Sequence, residues 1–104
     1  MKLSNTETIQ NHTIMETLGI ARGSTVRSRN IGRDIFASLK NIVGGELEEY
    51  TKLQADAREQ ALQRMISDAQ KLGADAVVNV RFTTSVVAQG ASEMLSYGTA
   101  VKLK

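Results

Sequence analysis

Four arginines, Arg22, Arg27, Arg29 and Arg33, fall within twelve residues of a 104-residue chain, and Asp34 follows directly. Clustered guanidinium groups can hold a phosphate or carboxylate through forked hydrogen bonds. Arg27 and Arg29 stand just ahead of an expected helix start at Asn30, where free main-chain N–H groups also attract anions. Arg27, Arg29, Arg33 and Asp34 are therefore the candidate anion or ligand residues. The plainer reading pairs these arginines with Asp34, Asp75 or acidic groups of a neighbouring subunit, since Arg is common in interface ion pairs. A catalytic carboxylate at Asp34 would need a second titratable group and a pocket. Asp75 in "GADA" is the evident partner, and its plainer role is to shape the turn into the next strand.

Metal chemistry has little to draw on. Zinc and softer ions take Cys or His in sets of three or four. The chain has no cysteine and one histidine, His12, in a polar stretch where a solvated imidazole is expected. Met15, Met65 and Met94 are expected to fill core gaps. Glu46, Glu48 and Glu49 suit a helix start rather than a site for a hard cation. "VGGE" is neither GxxxxGK[ST] nor GxGxxG, and no GxSxG surrounds any serine. No cofactor is implied, and an enzyme is disfavoured.

The bulk properties agree. Thirteen basic and eleven acidic residues leave a formal charge of +2, too small an excess to indicate nucleic-acid binding, and no aromatic stacking platform lies near the arginines. No run of about 18 apolar residues exists, and the N-terminus lacks a signal-peptide core. The expectation is a cytoplasmic protein of one domain, residues 1–104.

The elements that must position these residues read as follows. "TIMETLGIAR" (13–22) is an expected strand with a bend or bulge near Gly19. "GSTVRSRN" (23–30) is polar and turn-prone. Asn30 can cap a short helix to about Val43, with an apolar stripe of Ile31, Ile35, Phe36, Leu39, Ile42 and Val43. Gly44 and Gly45 make a structural corner between helices, because side chains would resist a left-handed backbone or close approach. A long helix runs from about Glu46 to Leu72 and stops at Gly73. Ala57, Ala61 and Ala69 let it lie close to a sheet or another helix. "ADAVVNVRFTTSVVA" is a strand with Ala76, Val78, Val80, Phe82 and Val86 on one face. After the turn "QGAS", "EMLSYGTAVKLK" returns antiparallel with Leu95, Tyr97, Val101 and Leu103 on one face. The order strand, helix, long helix, strand, strand makes an α+β domain.

"NIGRDIFASLKNIVGGELEEY", "KLGADAVVNVRF" and the late "GTAVK", taken together, resemble the YbjQ-like family of small bacterial and archaeal proteins. The resemblance extends over nearly the whole chain and includes Arg33-Asp34, Gly44-Gly45, Gly73 and Gly98, the glycines as structural positions. It implies a dodecin-like fold, a small antiparallel sheet packed on a long helix plus a short helix. It also implies a homopentameric ring in which short extra strands pair between subunits, with no settled activity and a heavy-metal-binding label that this Cys-free chain does not suit. The partner expected is therefore the chain itself, as a scaffold or with a small ligand or metal ion held between subunits. The residues support association independently of the family. Aromatics are few, so the core is thin, and Val77 and Val87 add apolar side chains on the other strand face.

Overall fold

The computed structural model describes residues 1–27, 48–88 and 91–104. The expected short helix and the Gly44–Gly45 corner lie outside these residues. Among the described residues there are four strands and one helix: β1 (Lys2–Leu3), β2 (Ile14–Arg27), α1 (Glu48–Lys71), β3 (Ala76–Ala88) and β4 (Ala91–Leu103). The sheet order is β1-β3-β4-β2. β4 pairs antiparallel with both β2 and β3, and β1 lies parallel to β3 with Lys2 opposite Ala76. The sheet is therefore mixed and not purely antiparallel. The polar N-terminus hid β1, because two residues carry no readable alternation.

α1 forms where the stripe predicts it, and Gly73 ends it with a φ of 81°. Ala57, Ala61, Met65 and Ala69 are its buried line. They lie one helical turn apart, so they face the sheet together. Opposite them, Ala21, Val77 and Ala100 join Met65 and Ala69 in one cluster, and Met94 joins Ala57 and Ala61 in a second. Gly23 makes the seat possible. A Cβ there would lie 2.2 Å from the Met65 main-chain nitrogen and 2.4 Å from the Ala61 carbonyl oxygen. No side chain fits, so the helix backbone rests directly on β2.

The stretch from Gly23 to Arg27 is strand, not the expected polar turn. It keeps pairing with β4 as far as Arg27 opposite Ser92. Its polarity is used in packing, since the buried Thr25 hydroxyl donates to the Ala57 carbonyl at 3.2 Å. The expected irregularity at Gly19 is present, with a φ of 136° and a register shift between Thr17 and Gly19. Met15, expected in the core, is exposed.

A smaller core occupies the other face of the sheet. Ala76, Val78 and Val101 are buried there, closed over by Ile9, Ile14 and Leu103. Leu95, Tyr97, Val101 and Leu103 do share a face, but it points away from α1. The residues of β4 buried beneath α1 include Met94, Ser96 and Ala100.

The expected single face of β3 does not survive a bulge. Val78 pairs with Thr99, yet Arg81 pairs with Tyr97, so Asn79 and Val80 together stand opposite Gly98. Asn79 takes a φ of 54°. The N-terminal segment holds this bulge, with Asn79 N–H donating to the Thr6 carbonyl and Val80 N–H to that of Ser4, both at 2.9 Å. Gly98 makes room for it, because a Cβ there would meet Val77 Cγ1 at 2.6 Å and the Val78 oxygen at 2.9 Å. The extra residue reverses the alternation. Phe82 and Val86 consequently share the α1 side with Ser96 and Ser92, and Arg81 moves to the other side.

Candidate functional site

The residues singled out from the sequence do not converge among the described residues. Arg27 ends β2 opposite Ser92. Arg29, Arg33 and Asp34 lie outside the described residues, as do Gly44 and Gly45. Asp75 pairs with a lysine rather than an arginine, its carboxylate lying 3.7 Å from Lys102 Nζ. It also accepts from the Leu103 main-chain N–H at 3.0 Å, so it fastens the end of β4.

His12 is exposed beside Asn11, whose φ is 68°. Its main-chain N–H donates to the Ile9 carbonyl at 3.1 Å, so its place is that of a turn residue. The thioethers of Met65 and Met94 are buried and already receive hydroxyl donors, Ser96 at 3.2 Å and Thr84 at 3.4 Å. No group of three or more His, Asp and Glu side chains able to hold a metal occurs among the described residues. No helix among them is long and apolar enough to cross a membrane.

Two features that the sequence concealed emerge from the register. The first is the outer edge of β3. β1 and the segment up to Thr6 cover this edge only as far as Val80. From Phe82 to Ala88 every residue is exposed, and no described residue pairs with the outer side. This length reads "FTTSVVA" and carries no charge. Phe82, Val86 and Val87 are 46%, 79% and 54% exposed.

The second is a row across three strands, Arg22 of β2, Tyr97 of β4 and Arg81 of β3. Residues paired across antiparallel strands present side chains on the same face. The Arg81 guanidinium donates to the carbonyls of Asn5, at 2.8 Å, and Val80, at 3.0 Å. The signal for this row was the bulge at Asn79, which no motif marks.

Comparison with known proteins places the chain plainly. Residues 1–104 match the model of the YbjQ family, described as "Putative heavy-metal-binding". A UPF0145 protein of Halorubrum lacusprofundi is 59% identical over 104 residues, covering all of both chains. Another from Archaeoglobus fulgidus is 59% identical over 102 residues, covering 98% of this chain and 94% of that one. A third, from Psychrobacter arcticus, is 58% identical over 102 residues but longer, so that the match covers 65% of it. Relatives therefore occur in archaea as well as bacteria. A crystal structure of a DUF74-family protein of unknown function from Pediococcus pentosaceus shares the fold, with a TM-score of 0.65 over 100% of this chain and 98% of that one, at 14% identity. With the family pattern matched from end to end, this chain belongs to the YbjQ family of UPF0145 proteins.

Proposed function

We propose that the protein is a non-enzymatic, self-assembling subunit whose copies join through the open edge of β3. The observation that carries this reading is the uncharged length from Phe82 to Ala88. Its outer side meets no described residue, and it exposes apolar side chains on both faces. Natural edge strands are ordinarily blunted by charge, proline, bulges or cover, because an unpaired edge recruits other strands. From Phe82 to Ala88 this edge has no charge, no proline and no described cover, and only a register irregularity between Val86 and Ala88 interrupts it, so it suits a surface that another copy covers. The described residues extend 54 × 26 × 16 Å with a radius of gyration of 16.9 Å, against about 13 Å for a compact chain of this length. Strands of 13 residues held out along their length fit that shape.

A closed ring needs a second, different surface on each copy. The part of β2 before Arg22, with Met15 and Ile20 exposed, is the edge that suits this role. The number five, the dodecin-like assignment and a cytoplasmic place rest on the family resemblance and composition, as does the single domain. The role assigned is that of a scaffold or a holder of a small ligand.

The family description favours a second reading, a metal or anion carrier with its site between subunits. Arg27, Arg29 and Arg33 would serve anions, and carboxylates hard cations. The described residues do not fit a soft heavy metal: His12 stands alone in a turn, and both buried thioethers are occupied by hydroxyl groups. Ligand retained in a native mass spectrum would favour the carrier.

Light scattering coupled to size exclusion tests the first reading. The parent should run as a discrete oligomer, and Val86→Lys should shift it to a folded monomer. A parent that stays monomeric at all concentrations, or an oligomer indifferent to Val86→Lys, would sink the edge.

A further inference from the structure

We infer that the row Arg22–Tyr97–Arg81 is a binding site for a phosphate group, on the sheet face away from α1. The three residues come from three neighbouring strands in direct register. Adjacent antiparallel strands put paired Cα atoms about 4.5–5.5 Å apart, so the two arginine Cα atoms stand roughly 10 Å apart with Tyr97 between. Two guanidinium groups on long side chains at that separation can close on one tetrahedral anion from opposite sides.

The row is set up for this use rather than for internal pairing. The one ion pair among the described residues is Lys102–Asp75, so neither arginine is neutralised by a described carboxylate. Asp68 of α1 accepts from the Arg22 main-chain N–H at 3.0 Å. No described group receives a hydrogen bond from the Arg22 guanidinium, and none pairs with the Tyr97 hydroxyl. Arg81 is aimed differently. Its Nη1 is tied to the carbonyls of Asn5 and Val80, which fixes the planar group and leaves its other N–H donors without a described acceptor. One anchored guanidinium, one free guanidinium and a phenol make a set composed of donors to an anion. The row above continues it, since Ser24, Leu95 and Thr83 stand in register with two hydroxyls and no charge. Along β4 the first acid on this face is Glu93, two rows further on, and in the N-terminal segment exposed Glu7 stands two residues from Asn5.

Phosphate is the anion of choice because two Arg forks and a hydroxyl offer more donors than a carboxylate can accept. It could arrive as a free phosphate or on a nucleotide whose base lies over Tyr97. This proposal does not depend on self-assembly and is read out separately from it.

Calorimetry on the full chain at low salt should be run with inorganic pyrophosphate, with ATP and with adenosine, and light scattering should record the oligomer in each sample. Pyrophosphate or ATP should bind, and adenosine should not. Arg22→Gln should weaken binding about 10-fold or more, as expected for loss of a charged hydrogen-bonding partner. It should leave the oligomer and melting temperature unchanged, because the Asp68 contact uses the main chain. Tyr97→Phe should lower pyrophosphate affinity by losing the hydroxyl. If the nucleotide is the source, ATP should bind more tightly than pyrophosphate, and Tyr97→Leu should remove that advantage. Absence of binding for both phosphates, or binding that survives Arg22→Gln undiminished, would overturn the proposal.

Discussion

The two long outer strands of the sheet, β2 and β3, meet their surroundings in opposite ways. Along its distal half β2 is sealed by the chain itself. Asp68 of α1 accepts from the Arg22 N–H at 3.0 Å, and Arg64 donates to the Ser24 carbonyl at 2.6 Å. The helix sits on Gly23 between these two contacts. β3, past its bulge, has no such cover among the described residues, although both strands expose valines, Val26 on β2 and Val86 and Val87 on β3. The distal half of β2 is finished by α1, and the outer side of β3 past Val80 meets no described residue. Under the proposed self-assembly, the difference locates where a second copy would add a strand without displacing a described residue.

The comparison can be broken most severely at Gly23. Gly23→Val would drive side-chain atoms into the α1 backbone, which has no flexible end to move aside. A loss of about 3 kcal/mol or more is expected, at or beyond the upper end for overpacking, read from urea unfolding. A variant as stable as the parent would mean that α1 does not rest on β2. A smaller effect should follow from unsealing β2. Asp68→Ala and Arg64→Ala should each cost about 1 kcal/mol, the net worth of one such hydrogen bond. Together they should open the distal half of β2 as well, seen as larger or polydisperse species by light scattering. A double variant with the parent's mass would show that the seal is incidental. The smallest effect belongs to His12, which lies on neither edge. His12→Ala should alter stability by less than about 0.5 kcal/mol. It should also leave zinc calorimetry unchanged and without a tight site. A stoichiometric submicromolar zinc site abolished by that substitution would contradict the reading of His12 as a turn residue.

Much of this arrangement was legible in the sequence. α1 was readable because Ala57, Ala61, Met65 and Ala69 repeat at helical spacing and Gly73 ends the run. The β3–β4 hairpin was readable from two strand-like stretches around one turn. The faces within β3 were not. Alternation is a count by twos, and one extra residue at Asn79 inverts every side chain after it. Asn79 itself looks like any polar strand residue, and the carbonyls that hold it come from Ser4 and Thr6, more than 70 positions away in sequence. β1 escaped for a related reason, since its two residues are strand only because β3 lies beside them. The polar run after Arg22 read as a turn because Thr25 and Gly23 look like loop residues until α1 is placed over them. The same inversion hid the Arg22–Tyr97–Arg81 row, while the arginines that sequence did single out at positions 29 and 33 lie outside the described residues.

The position of β4 governs how this sheet can be built during synthesis. β4 lies between β2 and β3, yet it comes after both of them in the chain. Among the described strands β2 thus has no partner until β4 has left the ribosome, and its first pair, Ile14 with Leu103, closes across almost the whole chain. Contacts so distant in sequence slow folding, so the β3–β4 hairpin, whose strands are neighbours, should form first. For that interval the valine-rich edge of β3 is already presented while β2 is still unpaired. If copies join through this edge as proposed, the order of synthesis presents it before the subunit is complete, a window in which encounter with another nascent copy is most consequential.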